Sequence, residues 1–193
     1  MPGVIIDIGT GDGKFAYELA KEHPDRFVIG IDPNHQALEE VSNKIYKKPV
    51  KGGLPNALFV LANIEDLPEE LSGIANQIFI NFPWSGLLKG LILVEEKTWL
   101  NLKRICQPGA YIDLVFGYDE NAEKNKVESL NLPTLSEEYL QNTLVSKVDT
   151  LGFKLVELNR LTEEDLKNYP STWAKKLAFG KDRKYFHLQF QVS

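Results

Sequence analysis

The sequence predicts an α/β fold with one open sheet of seven strands, mostly parallel, and helices on both of its faces. Three observations lead to this prediction. Short apolar, β-branched runs alternate with segments of helical spacing along most of the 193 residues. A glycine-rich turn, Gly9 to Gly13, joins the first apolar run directly to the first helical segment. No repeat or linker interrupts the chain, so right-handed crossovers between consecutive strands give a single sheet in one domain, residues 1–193.

The first half of the chain alternates regularly between strands and helices. Buried strands are predicted at residues 4–8, 26–31, 57–61 and 77–80. Helices are predicted at residues 14–20, 33–46, 68–71 and 87–106. The second helix begins at Pro33, a residue that suits a first helical turn. Pro108 and Gly109 end the fourth helix. The alternation of strands and helices over these residues is typical of a parallel sheet.

The second half of the chain is less regular. Strands are predicted at residues 110–116, 153–158 and 185–192, and residues 117–130 are polar and either helical or mobile. Ser136 caps a helix that reaches Leu151 and stops at Gly152, and a second capped helix covers residues 162–169. The last strand follows the sixth without a full crossover, so we expect it to be antiparallel.

Composition excludes several classes of protein. No apolar run approaches the roughly 20 residues of a membrane helix, so no membrane partner is expected. Cys106 is the only cysteine, which rules out an internal disulfide and favours a reducing cytoplasm. Cys106 and Trp99 lie within a predicted apolar helix and are assigned to the core. The three histidines are scattered without metal-ligand spacing, so no metal site is expected.

Positive charge is concentrated in two segments of a chain whose net charge is −5. Residues 43–51 contain four lysines and no acid, namely Lys44, Lys47, Lys48 and Lys51. Residues 175–184 contain one acid among five basic residues, namely Lys175, Lys176, Lys181, Arg183 and Lys184. Lysine clusters are often only solvated faces. Two of them beside candidate ligand-binding loops favour a partner with a phosphate backbone.

Polar residues at the ends of successive strands predict a cofactor site. Gly9, Gly11 and Gly13 follow the acid Asp7, a spacing that differs from the G-x-G-x-x-G of dinucleotide dehydrogenases. It resembles the first motif of class I S-adenosylmethionine (SAM) methyltransferases. Asp32 ends the second strand, where an acid can bind ribose hydroxyls. The other candidate cofactor residues lie in the glycine turn and after the third and fourth strands: Thr10, Ala62, Asn63, Glu65 and Asn81.

Each of these features also has a purely structural interpretation. The glycine turn can serve only to pack a helix against a sheet. Asp32 can be the N-cap of the next helix, and Glu65 can be an ordinary surface acid.

Two tryptophans are candidates for binding a substrate. Trp84 follows Pro83 directly after the fourth strand, where a rigid aromatic face suits stacking with a nucleobase; the alternative is a core tryptophan. Trp173 is followed at once by Lys175 and Lys176, a composition typical of contact with nucleic acid, although packing is the alternative.

The chain resembles the 16S ribosomal RNA (adenine 1408 N1) methyltransferases of aminoglycoside resistance over essentially its whole length. The most specific matches are the second tryptophan segment, the lysine-glycine loop and the short motif at the fourth strand. The matching motifs are Asp7–Gly13, Gly30-Ile31-Asp32-Pro33, Lys47-Lys48-Pro49, Lys51-Gly52-Gly53-Leu54, Phe82-Pro83-Trp84 and Trp173-Ala174-Lys175-Lys176-Leu177-Ala178-Phe179-Gly180.

This resemblance implies a cytoplasmic, monomeric enzyme with a class I methyltransferase fold. The enzyme docks on the 30S subunit and flips adenine 1408 out of helix 44. SAM is the cofactor and S-adenosylhomocysteine the product. Insertions at about residues 117–135 and 160–184 are implied to form the RNA and target side.

Residue by residue, the resemblance places Trp84 and Trp173 on either side of the flipped base. Ser171 and Arg183 hold the base and its backbone, and Glu123 lies near the target. Phosphates are implied to be bound by Lys44, Lys47, Lys48, Lys51, Lys175, Lys176 and Lys181. Adenine N1 carries an in-plane lone pair, so no catalytic base is expected, and catalysis consists of positioning.

The chain also departs from the family. Relatives carry an N-terminal hairpin before the first strand, so we expect either that part of the RNA-docking surface is missing here or that the start of the sequence is truncated. Asn43 and Leu130 stand where a lysine and an arginine are expected, which removes phosphate contacts.

Two alternative functions remain open at this point. One is a tRNA guanine-N7 methyltransferase, although Phe82-Pro83-Trp84 lacks the inserted acid and proline of that motif. The other is a module that binds SAM and RNA with little activity. An adenine-N6 enzyme and a nicotinamide-dependent dehydrogenase are disfavoured by Phe82 and by the glycine spacing respectively.

Overall fold

One sheet organises the residues described by the computed structural model, which are 3–169 and 183–193. Its strands are β1 (Val4–Ile8), β2 (Phe27–Asp32), β3 (Ala57–Leu61), β4 (Ala75–Asn81), β5 (Cys106–Tyr118), β6 (Phe153–Leu161) and β7 (Lys184–Val192). They are ordered β3-β2-β1-β4-β5-β7-β6. Neighbours from β3 to β5 pair in parallel, and β7 is antiparallel to both β5 and β6. The predicted mostly parallel sheet with an antiparallel last strand is confirmed.

Helices occupy the connections between these strands. They are α1 (Lys14–Glu22), α2 (His35–Ile45), α3 (Ser85–Ile92), α4 (Glu96–Ile105), α5 (Lys124–Leu130), α6 (Glu137–Tyr139), α7 (Ser146–Thr150) and α8 (Glu163–Asn168). Short 3₁₀ turns cover Pro49–Lys51 and Glu69–Leu71, and a π-helical stretch, Leu140–Val145, joins α6 to α7. Among the described helices, none is both long and apolar enough to cross a bilayer.

Two apolar layers cover the sheet. Tyr17 of α1 and Val41 of α2 pack with Ile5 of β1 in the smaller layer. The larger layer surrounds Trp99, which is fully buried and makes edge-to-face contacts with Phe153 and Phe190 at centroid distances of 4.9 and 5.6 Å. Trp99 and the buried Cys106 therefore belong to the core, as the sequence predicted.

The prediction of a single helix over residues 87–106 is wrong, because two helices, α3 and α4, occupy this stretch. The chain turns between them at Val94, whose φ is +56°. The helices pack tightly at this turn, since a Cβ on Gly90 would lie 2.3 Å from the Thr98 hydroxyl. The indole of Trp99 then donates to the Leu91 carbonyl at the end of α3, over 3.3 Å. Cys106 is the first residue of β5 and not the last of a helix.

Several other boundaries also differ from the prediction. Helix α2 begins at His35 and not at Pro33, because Asn34 is the N-cap and accepts hydrogen bonds from two backbone N–H groups of the first turn. Strand β5 begins four residues earlier and ends two residues later than predicted, and β6 extends to Leu161. The polar stretch 117–130 contains a short helix, α5. Ser136 caps its helix as predicted.

Candidate active site

A cleft of about 480 Å³ opens at the carboxyl ends of β1 to β4. This edge is where ligands bind in open α/β sheets. All nine residues that the sequence singled out for a cofactor line it, namely Asp7, Gly9, Thr10, Gly11, Asp32, Ala62, Asn63, Glu65 and Asn81. Trp84 lies in the wall of the same cleft.

The glycine turn has a shape that side chains would disrupt. Gly9, Gly11 and Gly13 all have positive φ, and a Cβ on Gly13 would lie 2.6 Å from a methyl group of Val41. The N–H groups of Gly9 and Thr10 donate to the same carbonyl of β2, at 2.8 and 3.0 Å. Gly13 is the N-cap of α1 and brings no side-chain hydrogen bond to it. The Lys14 N–H, the first of α1, donates instead to the Asp12 carboxylate at 3.2 Å.

Asp7 is a buried carboxyl at the base of the cleft. It is 2% exposed, and the hydroxyl of Thr10 donates to it. Burial raises the pKa of Asp7 from 3.8 to about 7, against the lowering effect of the Thr10 hydrogen bond. The negative charge of Asp32 raises it further, and the amide of Asn81 lowers it. A cationic group entering the cleft would restore the charged form of Asp7.

Asp32 fixes the rim of the cleft on the β2 side. One of its carboxylate oxygens accepts from the Gly11 N–H at 2.8 Å, and the other accepts from the Asn34 N–H at 2.8 Å. Asn34 caps α2, so the interpretation of Asp32 as the cap is wrong. Asp32 instead joins the glycine turn to the end of β2.

The loop after β3 forms the opposite rim. The side-chain oxygen of Asn63 accepts from the N–H groups of Glu65 and Asp66, at 2.8 and 2.9 Å, and so shapes this loop. Glu65 is exposed at the rim, while Ile64 is buried and lines the cleft. Sequence reasoning missed Ile64, although an apolar residue within this polar loop was a usable signal.

The segment after β4 places the side chain of Trp84 at the protein surface, beside the cleft. Phe82 is buried among Val115, Leu166 and Tyr185, and its N–H donates to the Val115 carbonyl at 2.7 Å. Phe82 has a φ of +51°, an uncommon value for a residue other than glycine. Trp84 is 36% exposed, so the core alternative does not describe it.

Tyr169 is a site residue that sequence reasoning missed. Its hydroxyl donates to Oδ1 of Asn81 over 2.6 Å, and its ring stacks on Phe15 at a centroid distance of 6.4 Å. Nδ2 of Asn81 is buried and makes no hydrogen bond with any described residue. Tyr169 and Asn81 are 88 residues apart, and no local pattern pointed to this pair.

Glu123 and Arg183 form an ion pair beside Trp84. Their charged atoms are 3.0 Å apart, and the side chains are 12% and 20% exposed respectively. The other carboxylate oxygen of Glu123 accepts from the Asp119 N–H at 2.9 Å. A second cleft, of about 510 Å³, is lined by Trp84 and residues 121–126. The structure thus brings three of the predicted target residues to one region.

Lys126 in this region was not singled out from the sequence. Its ammonium lies 3.5 Å from the centroid of the Trp84 ring. A cation at this distance from an exposed indole contributes about 0.5–1 kcal/mol.

The predicted RNA-binding lysines of the first basic segment lie at the end of α2 and in the loop after it. Lys44 is half-buried, with its ammonium 3.8 Å from the centroid of the Tyr17 ring. Lys47, Lys48 and Lys51 are exposed. A Cβ on Gly53 would lie 1.6 Å from the Lys47 carbonyl, so only glycine allows this loop to close. Tyr46 and Val50 are exposed beside these lysines, at 79% and 90%. An aromatic residue among free lysines suits nucleic acid.

Five predicted site residues lie outside the described residues. They are Ser171, Trp173, Lys175, Lys176 and Lys181.

Comparison with known proteins assigns the family. A model of the NpmA family, "16S rRNA (adenine(1408)-N(1))-methyltransferase", matches residues 1–192. A protein of that name from Escherichia coli is 39% identical over 191 residues, covering 98% of this chain and 87% of the relative. The chain belongs to this methyltransferase family.

Solved structures of relatives have the same fold as this methyltransferase. The aminoglycoside resistance methyltransferase NpmB1 has a TM-score of 0.87 at 37% identity, covering 99% of this chain and 87% of its own. A mutant of the Catenulisporales acidiphilia 16S rRNA (adenine(1408)-N(1))-methyltransferase, solved with the cosubstrate SAM, has a TM-score of 0.88 at 31% identity. The match covers 98% of this chain and 85% of that one. The predicted class I methyltransferase fold is confirmed.

The methyltransferase uses SAM, and its cleft fits this cofactor. Asp7 and Asp32 supply carboxylate acceptors at the two sides of the glycine turn. The buried Nδ2 of Asn81, which has no partner within residues 3–169 and 183–193, is a donor left for a ligand. Ile8, Ile31 and Ile64 give the cleft apolar walls. These groups match a molecule with an amino acid end, a ribose and a flat base.

Proposed function

We propose that this chain methylates N1 of adenine 1408 in the 16S rRNA of the 30S subunit, and that this modification confers aminoglycoside resistance. One observation carries the proposal: an exposed indole, Trp84, stands in the wall of the predicted cofactor cleft. A base stacked on this indole lies next to the cofactor. The names of the E. coli relative and of NpmB1 support the reaction and the resistance.

The strand-end residues hold SAM in this proposal. Asp7 and the glycine turn bind the amino acid end, Asp32 binds the ribose hydroxyls, and Ala62 to Glu65 border the adenine. Asn81 completes the site with Nδ2, which has no hydrogen-bond partner among the described residues. When bound, SAM supplies a methyl group on a positively charged sulfur that a nucleophile can attack.

Trp84 and Trp173 stack on the two faces of the flipped base. Flipping costs a few kcal/mol, and stacking on an aromatic side chain contributes about 1–3 kcal/mol per base. Two such faces offset the cost of flipping. Ser171 and the paired Glu123 and Arg183 hold the base and its backbone, and the cationic product also suits two indole faces.

No general base is needed for this transfer. Adenine N1 has a lone pair in the plane of the ring, so it attacks the methyl group without losing a proton. The task of the protein is to hold N1 in line with the methyl group and to exclude water.

Docking on the ribosome uses the two basic segments. Lys44, Lys47, Lys48 and Lys51 contact phosphates near helix 44 together with Lys175, Lys176 and Lys181. Residues 117–135 and 160–184 form the RNA and target side of one domain. The protein works as a monomer in the cytoplasm, where its ribosomal substrate is found.

Primer extension on purified 30S subunits tests this proposal. A methyl group on N1 blocks the pairing edge of adenine, so reverse transcriptase stops at that base. We expect a stop at adenine 1408 that requires both the protein and SAM. Two results would contradict the proposal: SAM binding without a stop, which supports a non-catalytic module, or N7-methylguanine in tRNA, which supports the tRNA enzyme.

A further inference from the structure

Lys126 occupies the aromatic surface that the proposed function gives to the target base. Its ammonium lies 3.5 Å from the centroid of the Trp84 ring. The backbone of Lys126 is held in place, because its N–H donates to the Glu123 carbonyl at 2.9 Å and the next residue, Val127, packs against the core. The contact therefore joins the first turn of α5 to the N-cap residue of α3.

The charge of Lys126 has no carboxylate partner among the residues that the structure describes. Nearby acids are already paired: Glu123 with Arg183 at 3.0 Å, and Glu128 with Lys124 at 3.8 Å. Among the described residues, the indole face is thus the main stabilising neighbour of this ammonium. A stronger anionic partner, such as a phosphate, can therefore displace this contact.

RNA supplies a base that can stack on the Trp84 indole and a phosphate that can bind the Lys126 ammonium. A base stacks on an indole more strongly than an exposed ammonium binds to it. A phosphate is a better partner for the ammonium than the ring. A base that replaces the ammonium on the indole and an ammonium that moves to a phosphate are both favourable changes. The two changes depend on each other, because the base and the ammonium compete for the same face of the Trp84 ring.

We propose that Lys126 is an RNA-binding residue that rests on Trp84 in the free protein and moves to a phosphate when the target base takes its place. The inference rests on the proposed function, since it needs Trp84 as the stacking surface. In the absence of RNA, Lys126 keeps a half-exposed indole beside the cofactor cleft covered.

Two measurements on the full chain test this, and neither requires methyl transfer. Quenching of tryptophan fluorescence by acrylamide reports how accessible Trp84 is to solvent. The chain has three tryptophans, so each variant is also measured with Trp84→Phe added, and the difference between the two gives the contribution of Trp84. The salt dependence of binding to 30S subunits counts phosphate contacts. The variants are Lys126→Ala, which removes both the charge and the covering side chain, and Lys126→Arg, which keeps the charge. Lys147→Ala, at an exposed lysine of α7, is the matched control for quenching.

We expect Lys126→Ala to increase the quenching of Trp84 and to lower the slope of log affinity against log salt by about one. Lys126→Arg should keep both values near those of the wild type, and Lys147→Ala should leave quenching unchanged. Unchanged quenching in Lys126→Ala would show that Lys126 does not cover Trp84, and an unchanged slope would show that it does not bind a phosphate. Either result overturns the proposal. Failure of the proposed function would appear separately, as no stop at adenine 1408 with the wild-type protein.

Discussion

Trp84 is the residue on which the proposed reaction depends most directly. Phe82 is buried in a small apolar cluster two residues earlier, so the chain can present Trp84 at the cleft without losing its anchor. This division of roles allows the two aromatic residues to be tested separately.

We expect Trp84→Ala to abolish most methylation of 30S subunits while SAM binding stays near the wild-type value. Loss of one stacking face removes about 1–3 kcal/mol, or roughly a five- to 150-fold drop in kcat/KM. Trp84→Phe keeps an aromatic face and should retain more activity. Methyl transfer to 30S subunits and calorimetry with SAM provide the two measurements; full activity of Trp84→Ala would rule out the stacking role.

Asp7 gives a pH-dependent prediction. Its pKa is raised from 3.8 to about 7 in the folded protein, because the carboxyl is buried. The folded state therefore binds this proton more tightly than the unfolded chain. The resulting stabilisation is complete below about pH 4 and is lost as the pH rises through 7. The free protein should become less stable over this interval on account of Asp7.

Asp7→Asn removes this titration. Thermal unfolding without SAM should show the variant to be more stable than wild type at pH 8, by up to about 4 kcal/mol, with the gap closing towards pH 4. The variant should also bind SAM more weakly, since it lacks the carboxylate. Asp12→Asn changes an acid of the same turn whose carboxylate pairs with Lys14 at the surface, and serves as the control. A gap that does not vary with pH would contradict the assignment to Asp7.

Tyr169 tests whether Asn81 must be held in place. Tyr169→Phe keeps the ring that stacks on Phe15 and removes the hydroxyl that donates to Asn81. An unsatisfied buried acceptor costs about 1–3 kcal/mol, so we expect lower thermal stability and a higher KM for SAM. Phe15→Leu removes the stacked ring instead and separates packing from hydrogen bonding. Wild-type behaviour of Tyr169→Phe in both measurements would show that the bond is dispensable.

At the scale of elements, α3 and α4 pack closely at their junction. Gly90 faces Thr98, and a Cβ at Gly90 would lie 2.3 Å from the threonine hydroxyl. Gly86, one turn earlier in α3, has open space at the same position. The two glycines therefore form a matched pair.

Gly90→Ala should destabilise the protein by about 1–3 kcal/mol, because the extra methyl overfills a packed contact. Gly86→Ala should be neutral or stabilising, by up to about 1 kcal/mol, since alanine favours a helix more than glycine does. Thermal unfolding of the two variants distinguishes these cases. Equal stability would mean that α3 and α4 can separate at little cost.

The sequence predicted the strands better than the helix boundaries, for a physical reason. Strands such as β1 are buried on both faces, so composition alone marks them. The break at Val94 carries no glycine or proline signal in the sequence, and it accompanies the packing of Gly90 against Thr98. The cleft residues were predictable because they follow strand ends. Tyr169 and Lys126 were not, because their partners are remote in sequence.

At the scale of the whole molecule, charge is distributed unevenly. The net charge is −5, yet Lys47, Lys48 and Lys51 are exposed within one loop that Gly53 allows to close. RNA binding should therefore depend on a few positions and not on the general charge of the protein.

Lys48→Gln should lower the salt slope of 30S binding by about one, since one phosphate contact is lost. Lys154→Gln removes the same charge from β6, which lies at the opposite edge of the sheet from β3. It should leave the slope unchanged. Binding at several salt concentrations measures both, and equal slopes for the two variants would exclude a phosphate contact at Lys48.

The same distribution of charge has a consequence for competition inside a cell, where most RNA is not the target. An acidic protein is repelled by RNA in most orientations and is attracted when one of its basic segments faces a phosphate backbone. Unproductive complexes with tRNA and with other parts of the ribosome are then short-lived. Under the proposed function, a small number of enzyme molecules can thus visit many ribosomes, and every subunit left unmodified remains a target of the drug.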